Sequence, residues 1–333
     1  MNLLYKTQSK ETKVAMAEVA EDPQVTEIES SYLREAESKI ISKTNHLHGK
    51  VVNSGNAAIL VAMNAIKGPI LIPDQGAWHG FKQIAKFLNK ETIIFKTDLG
   101  LISIENLDDL LTTNKSIRSE SSEPAIFLTS FAGYCAEQPI VEIANWCRKN
   151  DVLLVEDASG GITDPEKKLA NGLYSDIIVC STNSPKVVNV GDGGFITTSR
   201  MDIFEKSRLL LNVCKPSDIT SKGIFTELDF SENNLKNTLE ATTYIKNNLD
   251  NVVHQDKRGT NVILATKNPQ ELNKNLRVNL NVEGKSIITL CPNYNRIKQR
   301  AIAIEIKNLA TESLNKENLD EMIEIIKKYQ SYF

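Results

Sequence analysis

The chain is short of several things, and each shortage removes a class of function. Aromatic residues make up 6% of its 333 positions, too few for the ladder of stacking rings that holds a single-stranded nucleic acid. Neither sign of charge dominates: 39 basic residues face 42 acidic ones, for a net charge of −3. With no basic block either, no nucleic acid is expected as a partner. No apolar run approaches the roughly 20 residues that span a bilayer. The opening MNLLYKTQSKETK turns polar too early for a secretory leader. A membrane partner is therefore not expected. The five cysteines, Cys135, Cys147, Cys180, Cys214 and Cys291, are scattered and form no CxxC pair. That pattern supports neither a disulfide framework nor a zinc site, so no metal is expected and a reducing cytoplasm fits best. The chain also lacks a G-x-G-x-x-G after its first strand and has no G-x-x-x-x-G-K-[ST] loop, the signatures of dinucleotide and nucleotide phosphate binding.

What is present is an ordinary enzyme-like balance of 41% hydrophobic and 24% charged residues, on a chain long enough to bury a sizeable core. Strands are expected over 50–53, 69–72, 91–95, 125–130, 152–156, 176–181 and 194–198. Runs such as AIFLTS, VLLVED and DIIVCS are apolar on both faces, as in a sheet covered on both sides. Helical patterns over 57–66, 80–88 and 141–149 alternate with them, which predicts a mostly parallel α/β sheet. The polar stretch 112–123 reads as a surface loop. An N-terminal helix is expected over 27–43, with no indication of which part it packs on. Beyond about residue 200 the pattern shifts to a long helix over 231–249, the strand-like TNVILA, SIITLC and AIAIEI, and a last helix over 316–329. The division expected is a large domain over 1–225 and a small C-terminal α+β domain over 226–333.

Ligands of open α/β sheets lie beyond the carboxyl ends of the strands, and four stretches fall there. In VVNSGNAAILVAMNAI, Ser54, Gly55, Asn56 and Ala57 open a helix whose first N–H groups suit a phosphate; a plain helix cap is the competing reading. In VLLVEDASGG, Glu156 and Asp157 end a buried strand, where a carboxylate needs a partner. That partner is either a backbone cap or ion pair, or a cationic ring nitrogen. In LIPDQGAWHGF, Trp78 suits a planar ligand or the core, and His79 is a lone histidine. In VCSTNSPKVVNVGDGGF, Ser181 and Lys186 follow a strand and precede a glycine-rich turn. An anion cradle, a flat surface, a carboxylate and a lysine together match pyridoxal 5′-phosphate, which carries a phosphate, a pyridine ring and an aldehyde that condenses with lysine.

These stretches resemble the DegT/DnrJ/StrS-type aminotransferases, within the aspartate-aminotransferase-like fold of pyridoxal phosphate-dependent transferases. NSGNAAILVAMNAI is similar to that family's T-S-G-T-A-A-L helix start. FAGYCAEQPIVEIANWCRKNDVLLVEDAS is similar to its G-x-P segment leading to E-D-A-A. STNSPKVVNVGDGGFITT is similar to its S-F-x-x-x-K block and G-[ED]-G-G turn. The match is specific from about residue 51 to 198 and weaker outside that range. The resemblance implies a Schiff base at Lys186, which later shuttles a proton. It also implies Asp157 on the pyridinium nitrogen, Ser181 with the backbone of Asn56 and Ala57 on the phosphate, Trp78 on the ring face, and a homodimer with the site at the subunit boundary. Gly191, Asp192, Gly193 and Gly194 form the turn after the lysine.

The chain departs from the family in several places. Gly160 stands where a glutamine or histidine is usual three residues after the aspartate, Thr182 replaces an aromatic, and Asn56 replaces a threonine. The G-x-N-x-R stretch has no clear counterpart, with Asn233 or Asn234 as its nearest substitutes. These departures weaken the expectation of a nucleotide-sugar substrate. Burial and a cationic ring are expected to lower the pKa of Lys186. Arg296 and Arg300 flank a strand-like run, and either is a candidate fork for an amino-acid carboxylate. His254 and Arg258 read as surface or interface. The leading function is an aminotransferase with an amino-acid donor. The alternatives are a lyase or a cysteine sulfur transfer, for which Cys135 is the candidate, or a cofactor-bearing regulatory protein.

Overall fold

The computed structural model describes residues 3–21, 31–118 and 123–330. All seven expected strands of the first two hundred residues form. They lie side by side in one sheet in the order His48–Val52, Gly194–Thr198, Ile177–Ser181, Leu153–Asp157, Ala125–Thr129, Ile70–Pro73, Thr92–Phe95. Only Gly194–Thr198 runs against the rest. The doubly apolar runs are the central strands, and every residue of Ala125–Thr129 and Ile70–Pro73 is buried. Apolar clusters on both faces supply the driving force. Phe127 packs edge-on to Phe81 at 5.6 Å, and burying each such side chain is worth about 1.5–3 kcal/mol.

Four helices that position the site follow from local sequence. Gly55–Ala65 is capped by Ser54, whose hydroxyl accepts the Ala57 N–H. Gly80–Phe87 and Ile140–Lys149 fall close to their expected spans. The long helix begins well before residue 231 and runs Asp218–Asn247, capped by Ser217. Its Ile224, Leu228, Leu235 and Leu239 join the core under the large sheet, and Ala241 and Ile245 join the core of the C-terminal part.

The C-terminal sheet is antiparallel, in the order Val262–Ala265, Ala301–Ile304, Ile288–Cys291. It is backed by Pro269–Asn279 and Lys316–Gln330. The first of these helices was not expected; Pro269 at its first turn is the signal that marks it. Near the N-terminus, Ser31–Thr44 packs on the long helix and sends Ala36 and Ile40 into the large core. Lys10–Glu21 packs on the same long helix. Positions 27–30 of the expected 27–43 helix, and 119–122 of the expected surface loop, lie outside the described residues. The rest of that loop is the end of the helix Ile104–Thr113 followed by a turn of 3-10 helix over Lys115–Arg118. No helix among the described residues is long and apolar enough to cross a membrane.

Candidate active site

The parallel strands point their carboxyl ends to one edge, and there the sequence-predicted residues meet. Ser54, Gly55, Asn56, Trp78, Asp157, Ser181 and Lys186 line one cavity of about 320 Å³, together with Tyr134, Ser159, Asn183 and Ser184. Three larger recesses, of about 600, 620 and 390 Å³, lie against Tyr244, beside Arg258 and beside Arg300. Chemistry rather than size picks out the smaller one.

At one end of the cavity the helix start Gly55–Ala65 abuts the strand end at Ser181. A Cβ on Gly55 would lie 2.4 Å from the Ser181 Cβ, so only glycine lets this helix N-terminus and the Ser181 hydroxyl share the space. The Ala57 N–H is already taken by the cap, and Ala57 does not line the cavity. The Asn56 side chain accepts from Trp78 Nε1 at 3.1 Å, so asparagine at 56 holds the indole in place.

The adjacent acids separate cleanly. Glu156 is fully buried and accepts from Ser130 Oγ at 2.7 Å, Ser175 Oγ at 2.6 Å and the Ala170 N–H. Burial pushes its carboxyl above the usual range, although these donors pull it back. Asp157 faces the cavity instead. Its Oδ1 accepts from the Ser159 N–H at 3.0 Å and the Ser159 hydroxyl at 2.5 Å. That hydroxyl in turn accepts the Ser181 N–H at 2.8 Å. Ser159 thus links the carboxylate to the strand that carries the lysine loop.

Lys186 sits on the loop after Ile177–Ser181. The base of the loop is closed by Thr182, whose N–H donates to Gly193 O and whose hydroxyl donates to Asp192 O. Thr182 does a backbone job here that an aromatic could not. The ammonium of Lys186 donates to Tyr134 Oη at 3.1 Å. Burial lowers the amine, but the Tyr134 phenol and the Asp157 carboxylate outweigh it and raise the net value.

Tyr134 was not anticipated, although it stands in the quoted segment FAGYCAEQ. Its φ of 65° is unusual for a bulky residue. The conformation is held by the N–H groups of Thr260 and Asn261, both donating to its carbonyl. Arg296 Cζ and Lys307 Nζ lie 4.8 and 5.0 Å from its ring centre. Both cations share the buried Glu305, at 2.7 and 2.8 Å. Burial alone would raise the Tyr134 phenol, yet Lys186, Lys307 and Arg296 bring it below its usual value. Burial likewise works against Glu305, but Lys307 and Arg296 hold it down at about 2. Lys307 is lowered in turn, because burial outweighs the pull of Glu305. A carboxyl depressed in the folded state stabilises the fold above its unfolded pKa and loses that contribution as pH falls through its folded pKa. Urea midpoints should therefore decline between about pH 4.5 and pH 2, with a shallower decline in Glu305→Gln.

The remaining predicted residues lie apart from the cavity. His79 Nδ1 is within 3.2 Å of the Asn295 side chain, and its ring packs on Trp78. Arg296 stands behind Tyr134, with Nε on Glu305 and Nη1 on Asn295 O. Arg300 is exposed and borders a separate recess with Thr266, Lys267 and Gln330. Arg258 is three-quarters buried and bridges Glu137 and Asp164. All five cysteines are buried, and burial pushes the Cys135 thiol up to about 12. That denies sulfur transfer the exposed thiolate it needs. No cluster of metal-ligating side chains occurs among the described residues.

The segment Asn293–Lys298 is fastened over the rim. Gly76 N donates to Tyr294 O, Tyr294 Oη to Pro73 O, and Lys298 N to Gln75 Oε1. A Cβ on Gly133, which has φ +54°, would lie 2.6 Å from Arg296 O.

Residues 6–238 match the DegT/DnrJ/EryC1/StrS aminotransferase family, and residues 232–327 match the MJ1341 family C-terminal domain. GDP-perosamine synthase of Caulobacter vibrioides is 33% identical over 168 residues, covering 49% of this chain and 43% of that protein. A UDP-4-amino-4,6-dideoxy-N-acetyl-beta-L-altrosamine transaminase of Campylobacter jejuni is 24% identical over 167 residues, covering 49% of this chain and 42% of that protein. The match thus spans under half the length of these curated relatives. Among solved structures, Helicobacter pylori PseC, an aminotransferase involved in the biosynthesis of pseudoaminic acid, superposes with a TM-score of 0.79 at 15% identity, covering all of both chains. A serine palmitoyltransferase from S. paucimobilis also gives 0.79, at 12% identity, covering 99% of this chain and 88% of that one. These structural likenesses show the pyridoxal phosphate-dependent transferase fold.

Proposed function

The chain belongs to the DegT/DnrJ/EryC1/StrS aminotransferase family, and from that membership we propose that it is a pyridoxal phosphate-dependent aminotransferase working through Lys186 and Asp157. The donor set fits the cofactor. Ser54, Ser181 and the open helix N-terminus suit its phosphate, Trp78 suits a flat face, and Asp157 lies in the same cavity as the Lys186 amine. The observation that carries the reading is this shared cavity: one carboxylate and one lysine, brought from different strands to a single space.

When bound, the cofactor supplies an electron sink for the charge left on a substrate carbon. The protein supplies the rest. Asp157, oriented by Ser159, holds a proton at the ring nitrogen edge. Lys186 would be the attachment point for the aldehyde and the group that carries a proton at the reacting carbon, work worth roughly 10²–10⁴-fold. The helix start and Ser181 anchor the far end, so the reacting atoms stay registered to the lysine. The amino donor is an amino acid, and the curated relatives' names place an amino sugar among the products to be tried. A second copy of the chain completes the assembly. The helix Arg208–Val213, next to the helix Gly55–Ala65, buries none of its own side chains. It leaves Leu209 and Val213 about three-quarters exposed, a face suited to such a partner.

The test is chemical. Protein mixed with pyridoxal phosphate and reduced with borohydride should carry the cofactor on the peptide containing Lys186. An amino-acid panel should convert the cofactor to pyridoxamine phosphate. Unmodified Lys186 would overturn the proposal, and release of ammonia or carbon dioxide without the pyridoxamine form would favour the lyase reading.

A further inference from the structure

We propose that Tyr134 supplies the hydrogen bond at the ring-hydroxyl oxygen of bound pyridoxal phosphate, from a ring that borders the space left open by Gly160. The inference rests on the function proposed above and deepens it.

The argument starts from the cofactor's own connectivity. Its aldehyde and its ring hydroxyl sit on neighbouring carbons. Whatever places the aldehyde at Lys186 Nζ therefore places the hydroxyl oxygen within a few ångströms of that amine. The side chain found there is Tyr134, with Oη 3.1 Å from Lys186 Nζ. Family members carry glutamine or histidine three residues after the aspartate, and this chain has Gly160. A Cβ built on Gly160 would lie 3.5 Å from Cδ1 and Cε1 of Tyr134. The phenol ring therefore borders the volume that a longer side chain at 160 would enter.

The ring is aimed from behind. Thr260 and Asn261 donate to the Tyr134 carbonyl, and the neighbouring Cys135 carbonyl accepts from the buried ammonium of Lys246 at 2.6 Å. The charged groups facing the phenol are Lys186, Arg296, Lys307 and Asp157, with Glu305 behind the two rear cations. Arg296 and Lys307, which keep their charge when Lys186 is engaged, still pull the phenol down and strengthen it as a donor to an oxygen that carries negative charge.

Tyr134→Phe keeps the ring and removes only the donor. The borohydride-stable adduct on Lys186 should persist, while the dissociation constant for pyridoxal phosphate rises roughly 10- to 100-fold, the weight of one hydrogen bond to a charged group. The pH midpoint of the bound cofactor's visible absorbance should move up by about one unit. A donor at the oxygen drains the charge that would otherwise hold the neighbouring proton, so its loss keeps that proton on to higher pH. Tyr134→Ala should show the same two changes, and Tyr134→Ala combined with Gly160→Gln should reverse both. An adduct on Lys186 with unchanged affinity and midpoint in Tyr134→Phe would overturn this inference and leave the aminotransferase reading standing. Weaker affinity with an unmoved midpoint, a lower melting temperature and no rescue by glutamine would mean that Tyr134 acts only on the fold, and would also overturn it. No adduct on the wild-type Lys186 would bring down both.

Discussion

Lys186→Ala should leave a folded protein that takes up pyridoxal phosphate without covalent attachment and turns over at least about 10⁴-fold more slowly. One side chain does two jobs, tethering the aldehyde and carrying the proton, and nothing nearby replaces it. Arg296 is engaged by Glu305, Lys307 is held by the same carboxylate, and both lie behind the Tyr134 ring rather than in the cavity. Reversible binding should survive, because Ser54, Ser181 and Asp157 do not depend on the lysine. Removing Lys186 also takes away the foremost cation acting on Tyr134, so the phenol should titrate higher in the variant, as its ultraviolet difference spectrum would show. Turnover within tenfold of wild type would show that another group carries the proton, and would remove Lys186 from the mechanism.

Lys246→Met should cost about 2 kcal/mol of stability, read as a urea midpoint shift with an unchanged slope. Lys246 is 1% exposed, and its ammonium donates to the carbonyls of Cys135, His254 and Lys257 at 2.6, 2.8 and 2.8 Å. Methionine fills similar space but donates nothing, so the buried Cys135 carbonyl and the part-buried carbonyls of His254 and Lys257 lose their partner at once. The loss falls where the long helix, the turn bearing Tyr134 and the 254–258 loop meet. Cofactor affinity should therefore weaken along with stability. A change below about 1 kcal/mol would mean that water reaches these carbonyls and that the ammonium is not what joins the three segments.

The large sheet was readable because its strands are apolar on both faces and short, a pattern that few other structures produce. The residues at strand ends were readable for a related reason. In an open sheet the carboxyl edge is fixed by topology, so Ser54, Asp157, Ser181 and Lys186 were bound to converge once the strands were placed. What escaped notice depends on contacts between distant segments. Residues 218–230 carry Gly223 and several β-branched positions, a weak local helix signal. They are helical because Ser217 caps them and because the N-terminal helix needs a close approach: a Cβ on Gly223 would lie 2.9 Å from Met16 Sδ. Tyr134 looked like one more aromatic in a turn. Two of the cations around it, Arg296 and Lys307, stand more than 160 positions away, and no periodicity encodes that. Lys246 sat in an amphipathic pattern where a lysine ordinarily faces water.

The fastening of residues 293–298 to the ends of the large sheet bears on how the two parts of the chain move. Three hydrogen bonds join residues 73–76 to 294–298, and Gly133 leaves no room for a side chain against the Arg296 carbonyl. Any change in the relative placement of the two parts of the chain must therefore break these three hydrogen bonds together.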